Sequence, residues 1–156
     1  MDAKVQGVVD AAREAGLDIE PRTFSAETRT AQDAAREVGC DVAAIVKSLI
    51  FTSAHGPLLF LVSGANRLDA HKGAAAAGVA TLERADANAA KRATGYSIGA
   101  TPPLGLATQI PVFMDEDLLA HEVVWAAAGR PDSVFPVDPK ELTRVTDAEV
   151  IDLKEG

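Results

Sequence analysis

The sequence of 156 residues predicts an α+β fold, in which a mixed, curved and barrel-like β-sheet is flanked by helices within a single domain spanning residues 1–156. Helix-like and strand-like segments follow one another without strict βαβ alternation, which is typical of an α+β domain. The strand candidate Leu58–Val62 (LLFLV) is apolar throughout. An uninterrupted apolar strand indicates burial on both faces, so helices are expected to pack against the sheet.

Helix signals recur along the chain. Asp2–Ala15 repeats valine and alanine at helical spacing and is followed by Gly16, which predicts an amphipathic helix with a glycine C-cap. Thr30–Val38 and Asp69–Ala77 each begin at a capping side chain and stop at a glycine. The remaining helical segments are a helix at Asp86–Thr94 and helical turns at Asp41–Ala44 and Pro139–Arg144.

A central hairpin is the clearest strand signal. Val46–Ser53 is rich in β-formers, Leu58–Val62 follows it, and residues 54–57 contain the Gly-Pro turn between them. Asp115–Asp117 is interpreted as an exposed acidic turn between two later strands. The other predicted strands are Ile19–Phe24 at a sheet edge, Val79–Leu82, Ile110–Met114, Glu122–Ala127, Ser133–Val137 and Val150–Leu153.

The net charge of −8 argues against a protein that coats nucleic acid non-specifically, because neutralising phosphates requires clustered Lys and Arg. A small local contact with the end of an RNA remains open, and solvated surface is the alternative role for each of the residues concerned. The basic residues that could form such a contact are Lys47, Arg67, Lys72, Lys91 and Arg92.

Cysteine content and hydropathy indicate the cellular compartment of the protein. Cys40 is the single cysteine, which excludes an internal disulfide and agrees with a reducing cytoplasm. No apolar run approaches the roughly 20 residues that a membrane-spanning helix needs. The acidic N-terminus lacks the apolar region of a signal peptide. We therefore expect a cytoplasmic protein that does not contact membranes.

No metal-binding or nucleophile motif is present. The histidines show no paired spacing, and the single cysteine belongs to no CxxC motif, so neither a zinc site nor any other metal or cofactor site is predicted. The letters GYSIG at Gly95–Gly99 match G-x-S-x-G, but they follow a predicted helix instead of a strand, so they do not form a nucleophile elbow. The chain contains no Walker sequence and no GxGxxG after a strand. If the protein is an enzyme, it is expected to work by positioning and electrostatics.

The stretch Lys91–Gly105 (KRATGYSIGATPPLG) joins a helix end to a loop rich in glycine and proline. Proline fixes φ and keeps the preceding residue extended, so the loop is expected to hold its carbonyls in one arrangement. A preorganised backbone suits recognition of a small polar group, because little ordering entropy remains to be lost. An ordinary rigid connection is the alternative.

Period-two alternation places Lys47, Leu49 and Phe51 on one face of their strand. A cation beside apolar side chains could be aimed at a carbonyl, an oxyanion or a phosphate. The alternative is a strand-end lysine whose ammonium reaches solvent.

These residues carry a family resemblance. The segments VAAIVKSLIF, FLVSGANRLDAHK, ATGYSIGATPPLG, PVFMDEDLL and VVWAAAG occur in an order that resembles the YbaK/ProX superfamily, over roughly residues 20–153. That superfamily comprises free-standing relatives of the prolyl-tRNA synthetase editing domain. Its invariant lysine falls on Lys47, and its GxxxP loop falls on Gly99–Pro103.

The resemblance implies metal-independent hydrolysis, in trans, of mischarged aminoacyl-tRNA. In the family the loop backbone positions the aminoacyl group, the lysine supports the terminal adenosine or its ester, and a ribose hydroxyl of the tRNA helps to activate water. The expected partners are the aminoacyl-tRNA acceptor end and a synthetase, but not DNA. The residues to which the resemblance gives catalytic roles are Lys47, Gly99 and Pro103. Those expected to bind substrate are Ala100, Thr101, Pro102, Leu49, Phe51, Arg67 and Lys72.

Many relatives carry Gly-Gly or Ser within this loop, where the present chain has Ala100 and Pro102. This difference bears on amino-acid specificity, and Ala, Cys, Ser and Thr all remain candidates, on tRNA-Pro or a related tRNA. Two other functions also stay open: an inactive module that docks on a synthetase or a tRNA, and a hydrolase of another small ester. Retention of both Lys47 and the loop favours the deacylase.

Overall fold

The computed structural model describes residues 2–25 and 30–156, which contain five α-helices. An aspartate or threonine side chain caps the N-terminus of each helix, as the side chain of Asp2 does through the Lys4 and Val5 amides. The four helices expected from the sequence are confirmed, and the turn expected at residue 139 extends into a fifth helix. Their bounds are α1 Ala3–Glu14, α2 Ala31–Val38, α3 Ala70–Ala77, α4 Ala87–Thr94 and α5 Pro139–Thr146.

The strands belong to two sheets. In chain order they are β1 Arg22–Thr23, β2 Val46–Ser53, β3 Gly56–Ser63, β4 Glu83–Arg84, β5 Val112–Asp115, β6 Val124–Ala127, β7 Ser133–Val137 and β8 Glu149–Ile151. One sheet has the order β4-β2-β3-β5-β8, and the other has the order β1-β7-β6. Two short 3-10 helices lie at Val42–Ala44 and Glu116–Ala120.

The fold is therefore mixed α+β, as expected, but the barrel-like sheet is not confirmed. The two sheets meet where Ile45 forms a bridge with Trp125, and they do not close on themselves. The predicted hairpin is confirmed: β2 and β3 are antiparallel, with Leu49 opposite Phe60. β5 pairs in parallel with β3 on one side and with β8 on the other.

β3 lies at the centre of the molecule and is buried on both faces, as its apolar sequence predicts. Leu59 and Leu61 belong to the larger hydrophobic cluster, which includes the buried face of α1. Leu58, Phe60 and Val62 point to the opposite face and form a second cluster with residues of β5 and α3. This strand supplies a rigid base for its neighbour β2.

Two local predictions are wrong. The strand expected at Val79–Leu82 lies instead at Glu83–Arg84, since Leu82 packs against the second cluster and the chain joins the sheet only after it. The acidic turn expected at Asp115–Asp117 is not fully exposed, because Asp115 is the last residue of β5 and is completely buried. In the described part of the chain, no helix is long and apolar enough to cross a membrane.

The short β4 has a consequence for β2. β4 pairs with Phe51 and Thr52, near the end of β2. The first half of β2 is left to face the start of α2, the loop before Thr101, and the three-stranded sheet. A cavity lies at this edge.

Candidate functional site

The cavity has a volume of about 340 Å³ and opens between the two sheets. β2 forms one wall, β6 and β7 form the opposite wall, and α2 and the loop at Gly99 lie at its ends. Most of the lining is apolar, from residues such as Ile45, Trp125 and Val134. The charged side chains among the described lining residues are Lys47 and Arg84, both cations.

Lys47 enters this cavity from the start of β2. Its side chain is partly buried, and its ammonium donates a hydrogen bond to the backbone carbonyl of Asn66. Burial lowers the pKa of Lys47 below its usual value, and the nearby charges of Arg67 and Arg84 lower it further, while Asp115 opposes them. The protein thus holds a desolvated cation in a defined position, where its field on a bound group is stronger than in water.

Carboxylates hold the turn that carries Asn66. The Asn66 side-chain amide donates to Asp115 at 2.8 Å and to Asp117 at 2.9 Å. The buried carboxylate of Asp115 also accepts from the backbone amide of Ser63 at 3.1 Å. Lys154 contacts Asp117 at 3.0 Å. The acceptor of the Lys47 hydrogen bond is therefore fixed by a network that the alternation in β2 does not reveal.

The C-terminal segment 152–155 fastens the same turn from outside. The backbone amide of Asp69 donates to the Leu153 carbonyl at 2.8 Å, and that of Glu155 donates to the Arg67 carbonyl at 2.9 Å. Leu153 is fully buried in the second hydrophobic cluster. Residues distant in sequence thereby support the position of Lys47.

Gly99 and Thr101 bring the glycine-proline loop to the cavity. Gly99 has φ +88, the left-handed region, and a Cβ built there would meet nothing within 4 Å. The Thr101 hydroxyl donates to the Ser97 carbonyl at 3.1 Å. The loop backbone thus lines the same cavity as Lys47, with open space around the position of a Cβ on Gly99.

The rest of the predicted loop is structural in this arrangement. Ala100 is buried, and its carbonyl accepts from the Gly129 amide at 3.1 Å, so that carbonyl is already occupied. Pro102 and Pro103 are buried and are not among the cavity-lining residues. These three residues keep the loop rigid from behind.

Of the remaining predicted residues, some line or adjoin the cavity and others pack elsewhere. Leu49 lines the cavity, whereas Phe51 packs edge-on against Phe60 in the second cluster. Arg67 is exposed on the turn beside the cavity. The Lys72 ammonium contacts Asp152 at 2.9 Å and the Lys154 carbonyl at 2.7 Å, so α3 is tied to the C-terminal segment through it.

Several cavity residues are absent from the sequence-based set, and Arg84, Trp125 and Ser48 are the ones that bear on its chemistry. Arg84 was missed because β4 was placed four residues too early. Trp125 is the single tryptophan, and pairing of distant segments brings it to the cavity. The Ser48 hydroxyl is buried and has no hydrogen-bond partner among the residues described. A polar atom of this kind is costly unless a ligand or water satisfies it.

Acidic, histidine and cysteine side chains do not form a metal-binding group of three or more in the described ranges 2–25 and 30–156.

The chain is similar in sequence to bacterial proteins, including the following two. It is 23% identical over 131 residues to EbsC of Enterococcus faecalis, provisionally named a Cys-tRNA(Pro)/Cys-tRNA(Cys) deacylase, covering 83% of this chain and 80% of that one. It is 28% identical over 128 residues to YwhH of Bacillus subtilis, an uncharacterised protein, covering 81% of each.

A solved structure shares the whole architecture. A crystal structure described provisionally as a trans-editing enzyme for prolyl-tRNA synthetase superposes with a TM-score of 0.95 at 43% sequence identity. The alignment covers 100% of this chain and 99% of that one. The family model for the aminoacyl-tRNA editing domain matches residues 25–145. The cavity, the lysine and the loop thus lie within a chain that belongs to the aminoacyl-tRNA editing domain family.

Proposed function

We propose that the protein is a trans-editing deacylase that hydrolyses the ester of mischarged aminoacyl-tRNA. The observation that carries the proposal is one cavity lined by Lys47, Gly99 and Thr101. A desolvated ammonium in the same cavity as a rigid loop backbone suits an ester whose carbonyl oxygen gains negative charge during hydrolysis. Family membership supports the same reaction class.

The reaction needs little beyond positioning. Water adds to the ester carbonyl, the C–O bond to the tRNA ribose breaks, and the free amino acid and tRNA leave. The Lys47 ammonium stabilises the oxyanion that forms on addition of water. The family resemblance implies that a hydroxyl of the tRNA ribose helps to take the proton of the attacking water, and no carboxylate or imidazole occurs among the described lining residues. Ester hydrolysis is intrinsically easy, and precise placement supplies much of the rate.

The cavity favours a small amino acid. A volume of about 340 Å³ is near the lower end of ligand pockets, and the terminal ribose must share it with the aminoacyl group. The buried Ser48 hydroxyl offers one polar contact in a mostly apolar lining. Ala, Cys, Ser and Thr are the proposed substrates. A synthetase gains only about 1–3 kcal/mol of discrimination from one methylene, which is why such esters form and require removal.

The proposed partner is the acceptor end of tRNA-Pro or a related tRNA. The printed descriptions of two similar proteins name prolyl-tRNA synthetase and Cys-tRNA(Pro), respectively. A synthetase partner is proposed on the same basis. The catalytic roles proposed for Lys47, Gly99 and Pro103 come from the family resemblance, with Pro103 acting by holding the loop from behind.

The test is a deacylation panel with Ala-, Cys-, Ser-, Thr- and Pro-charged tRNA-Pro under single-turnover conditions. Wild-type protein should hydrolyse at least one mischarged tRNA and spare the Pro-charged one. Lys47→Ala should be slower by about 10²–10³, the scale of losing one oxyanion donor. Lys140→Ala removes an exposed lysine at the start of α5 and should keep the wild-type rate.

The stability of the variants separates chemistry from folding. Lys47→Ala should change the free energy of unfolding by no more than about 1 kcal/mol, because a strand-end lysine adds little packing. Binding of tRNA without hydrolysis of any ester would identify an inactive docking module instead. Wild-type rates for Lys47→Ala on every cleaved substrate would refute the role of the lysine.

A further inference from the structure

The mouth of the cavity carries two arginines that the proposed hydrolysis does not use, beside the lysine that it does use. Lys47 and Arg84 line the cavity, and Arg67 is exposed on the adjacent turn. The Asn66 carbonyl that accepts from the Lys47 ammonium directly precedes Arg67 in the turn, and the charges of both arginines contribute to lowering the pKa of Lys47 after the effect of burial. The three residues, called here the basic cluster, come from β2, the turn after β3, and β4.

The basic cluster is among the basic side chains that form no ion pair in the described structure. Six basic side chains form ion pairs with carboxylates in the described structure. These six are Arg13, Arg36, Lys72, Arg130, Arg144 and Lys154. No residue of the basic cluster contacts a carboxylate among the described residues at ion-pair distance.

Backbone contacts hold the two arginines in place. Arg84 pairs with Phe51 at the edge of the five-stranded sheet. The Arg67 carbonyl accepts from the Glu155 amide at 2.9 Å. Both side chains are exposed to solvent. Two exposed guanidinium groups whose backbones are anchored at the same cavity mouth would both attract an anion that approaches it.

We propose that Arg67 and Arg84 bind backbone phosphates of the single-stranded 3′ end of an RNA and thereby direct that end into the cavity. Guanidinium groups suit phosphates because they present several donors in a planar fork. The proposal deepens the deacylase function and rests on it for the identity of the RNA. Lys72, which the family resemblance assigns to substrate binding, is left out of this phosphate site, because its ammonium already contacts Asp152 and the Lys154 carbonyl.

The experiment measures binding separately from hydrolysis. The probe is an uncharged RNA hairpin that reproduces a tRNA acceptor stem with its single-stranded 3′ end, and fluorescence anisotropy reports its affinity over a range of salt concentrations. Arg67→Gln and Arg84→Gln should each weaken binding by roughly 3- to 10-fold at low salt. Each should also reduce the slope of log affinity against log salt by about 0.7, the value for one phosphate contact on a single strand.

The control is Arg13→Gln, which removes the same charge from α1 at a residue that does not line the cavity. It should keep the wild-type slope. Arg84→Lys should restore most of the slope, because it restores the charge. If Arg67→Gln and Arg84→Gln both bind with wild-type affinity and slope, the phosphate site is refuted. Displacement of the hairpin by equimolar AMP would refute the RNA end as the ligand, since a free nucleotide would then suffice.

A second measurement does not depend on RNA. NMR titration of ¹³C-labelled lysine side chains follows Lys47, assigned with the Lys47→Arg variant. The pKa of Lys47 should rise in Arg84→Gln, because a repelling charge has gone. An unchanged pKa would refute the proximity on which the basic cluster rests.

Hydrolysis and phosphate binding can fail independently. Protein that binds the hairpin through both arginines but hydrolyses no ester would refute the deacylase while the phosphate site stands. Protein that hydrolyses mischarged tRNA equally well in wild-type and arginine variants, at substrate concentrations below KM, would refute the phosphate site while the deacylase stands.

Discussion

Lys47 lies where its own charge is disfavoured. Burial and two neighbouring arginines lower its pKa, and the Asn66 carbonyl holds the ammonium in place. A surface lysine would be more stable as a cation but would be surrounded by water, which weakens its effect on a substrate. Burial therefore strengthens the electrostatic effect of the Lys47 ammonium on a substrate but makes its protonated form less stable.

The lowered pKa of Lys47 predicts how the deacylase activity depends on pH. A lysine with a lowered pKa loses its proton at a lower pH than an ordinary lysine, so deacylase activity should fall as pH rises through that lowered value. The measurement is kcat/KM against pH, after subtraction of uncatalysed ester hydrolysis. Lys47→Arg should retain weak activity without this decline, because its guanidinium stays charged. A wild-type profile that stays flat up to the ordinary lysine range would contradict the prediction.

Substituting Gly99 tests whether this residue contributes to substrate binding, in addition to the backbone strain that any side chain would cause there. Gly99→Ala should cost about 1–2 kcal/mol of stability, because a side chain at φ +88 is disfavoured. Its methyl group would also occupy the cavity, so KM should rise more than kcat falls. Gly39→Ala is a matched control: Gly39 has φ +77 with nothing near its Cβ position, and it does not line the cavity. If both variants raise KM equally, the rise in KM of Gly99→Ala does not come from its position in the cavity.

The turn after β3 is the element that converts a strand lysine into a positioned cation. Its asparagine side chain contacts two carboxylates, while its backbone carbonyl accepts from Lys47. The turn also begins at Gly64, where a Cβ would lie 2.5 Å from the Val42 carbonyl oxygen. Close packing and hydrogen bonds therefore restrict this turn on several sides.

Asn66→Ala tests the turn. Removing both amide hydrogen bonds should lower the free energy of unfolding by about 1–3 kcal/mol, since the buried carboxylate of Asp115 loses a donor. The turnover number should fall as well, because the acceptor of Lys47 becomes mobile. Asn88→Ala, on the exposed face of α4, should leave both quantities nearly unchanged. Urea unfolding and single-turnover assays provide the two readouts, and wild-type turnover in Asn66→Ala would contradict the positioning role.

Elements that depend on local sequence were predicted well. Helix starts follow from capping side chains, and the ends of α2 and α3 follow from glycines that adopt positive φ. β3 was recognised because its burial on two faces leaves a local signature. β4 was misplaced, since a two-residue strand is specified by its partner Phe51 and not by its own pattern.

The candidate site was predictable in part for the same reason. Lys47 and Gly99 stand out in the sequence because each interrupts a local pattern. Arg84 and Trp125 do not, since only pairing between distant segments brings them to the cavity. The division into two sheets is likewise a property of long-range pairing, which the local patterns behind the barrel-like expectation do not contain.

At the scale of the whole molecule, acidic residues outnumber basic ones and several depend on partners. The pKa values of Asp117, Glu141 and Asp152 lie below their usual range, because Asn66, Arg144 and Lys72, respectively, hydrogen-bond their carboxylates. The folded state therefore binds fewer protons than the unfolded state in the acidic range. These groups contribute stability above the unfolded pKa values, near 4, and lose it as pH falls through the folded values.

The thermal unfolding midpoint should accordingly decline as pH falls below about 4. Glu141→Gln should show a shallower decline, because one of the linked carboxyls is absent. Calorimetry between pH 7 and pH 3 measures the effect, and 1 M salt should reduce it because these pairs are exposed. A midpoint that is constant down to pH 3 would contradict the assignment.

The C-terminal segment 152–155 has a consequence for the time at which the site forms. Synthesis begins at the N-terminus, so β2 and Lys47 exist long before β8 and the residues that fasten the turn of Asn66. Contacts between segments so far apart in sequence form late, because closing a long loop is entropically unfavourable. A growing chain would therefore carry the lysine on its strand while the acceptor of that lysine lacked support. The centre of the proposed reaction would gain this support only after residues 152–155 had been made.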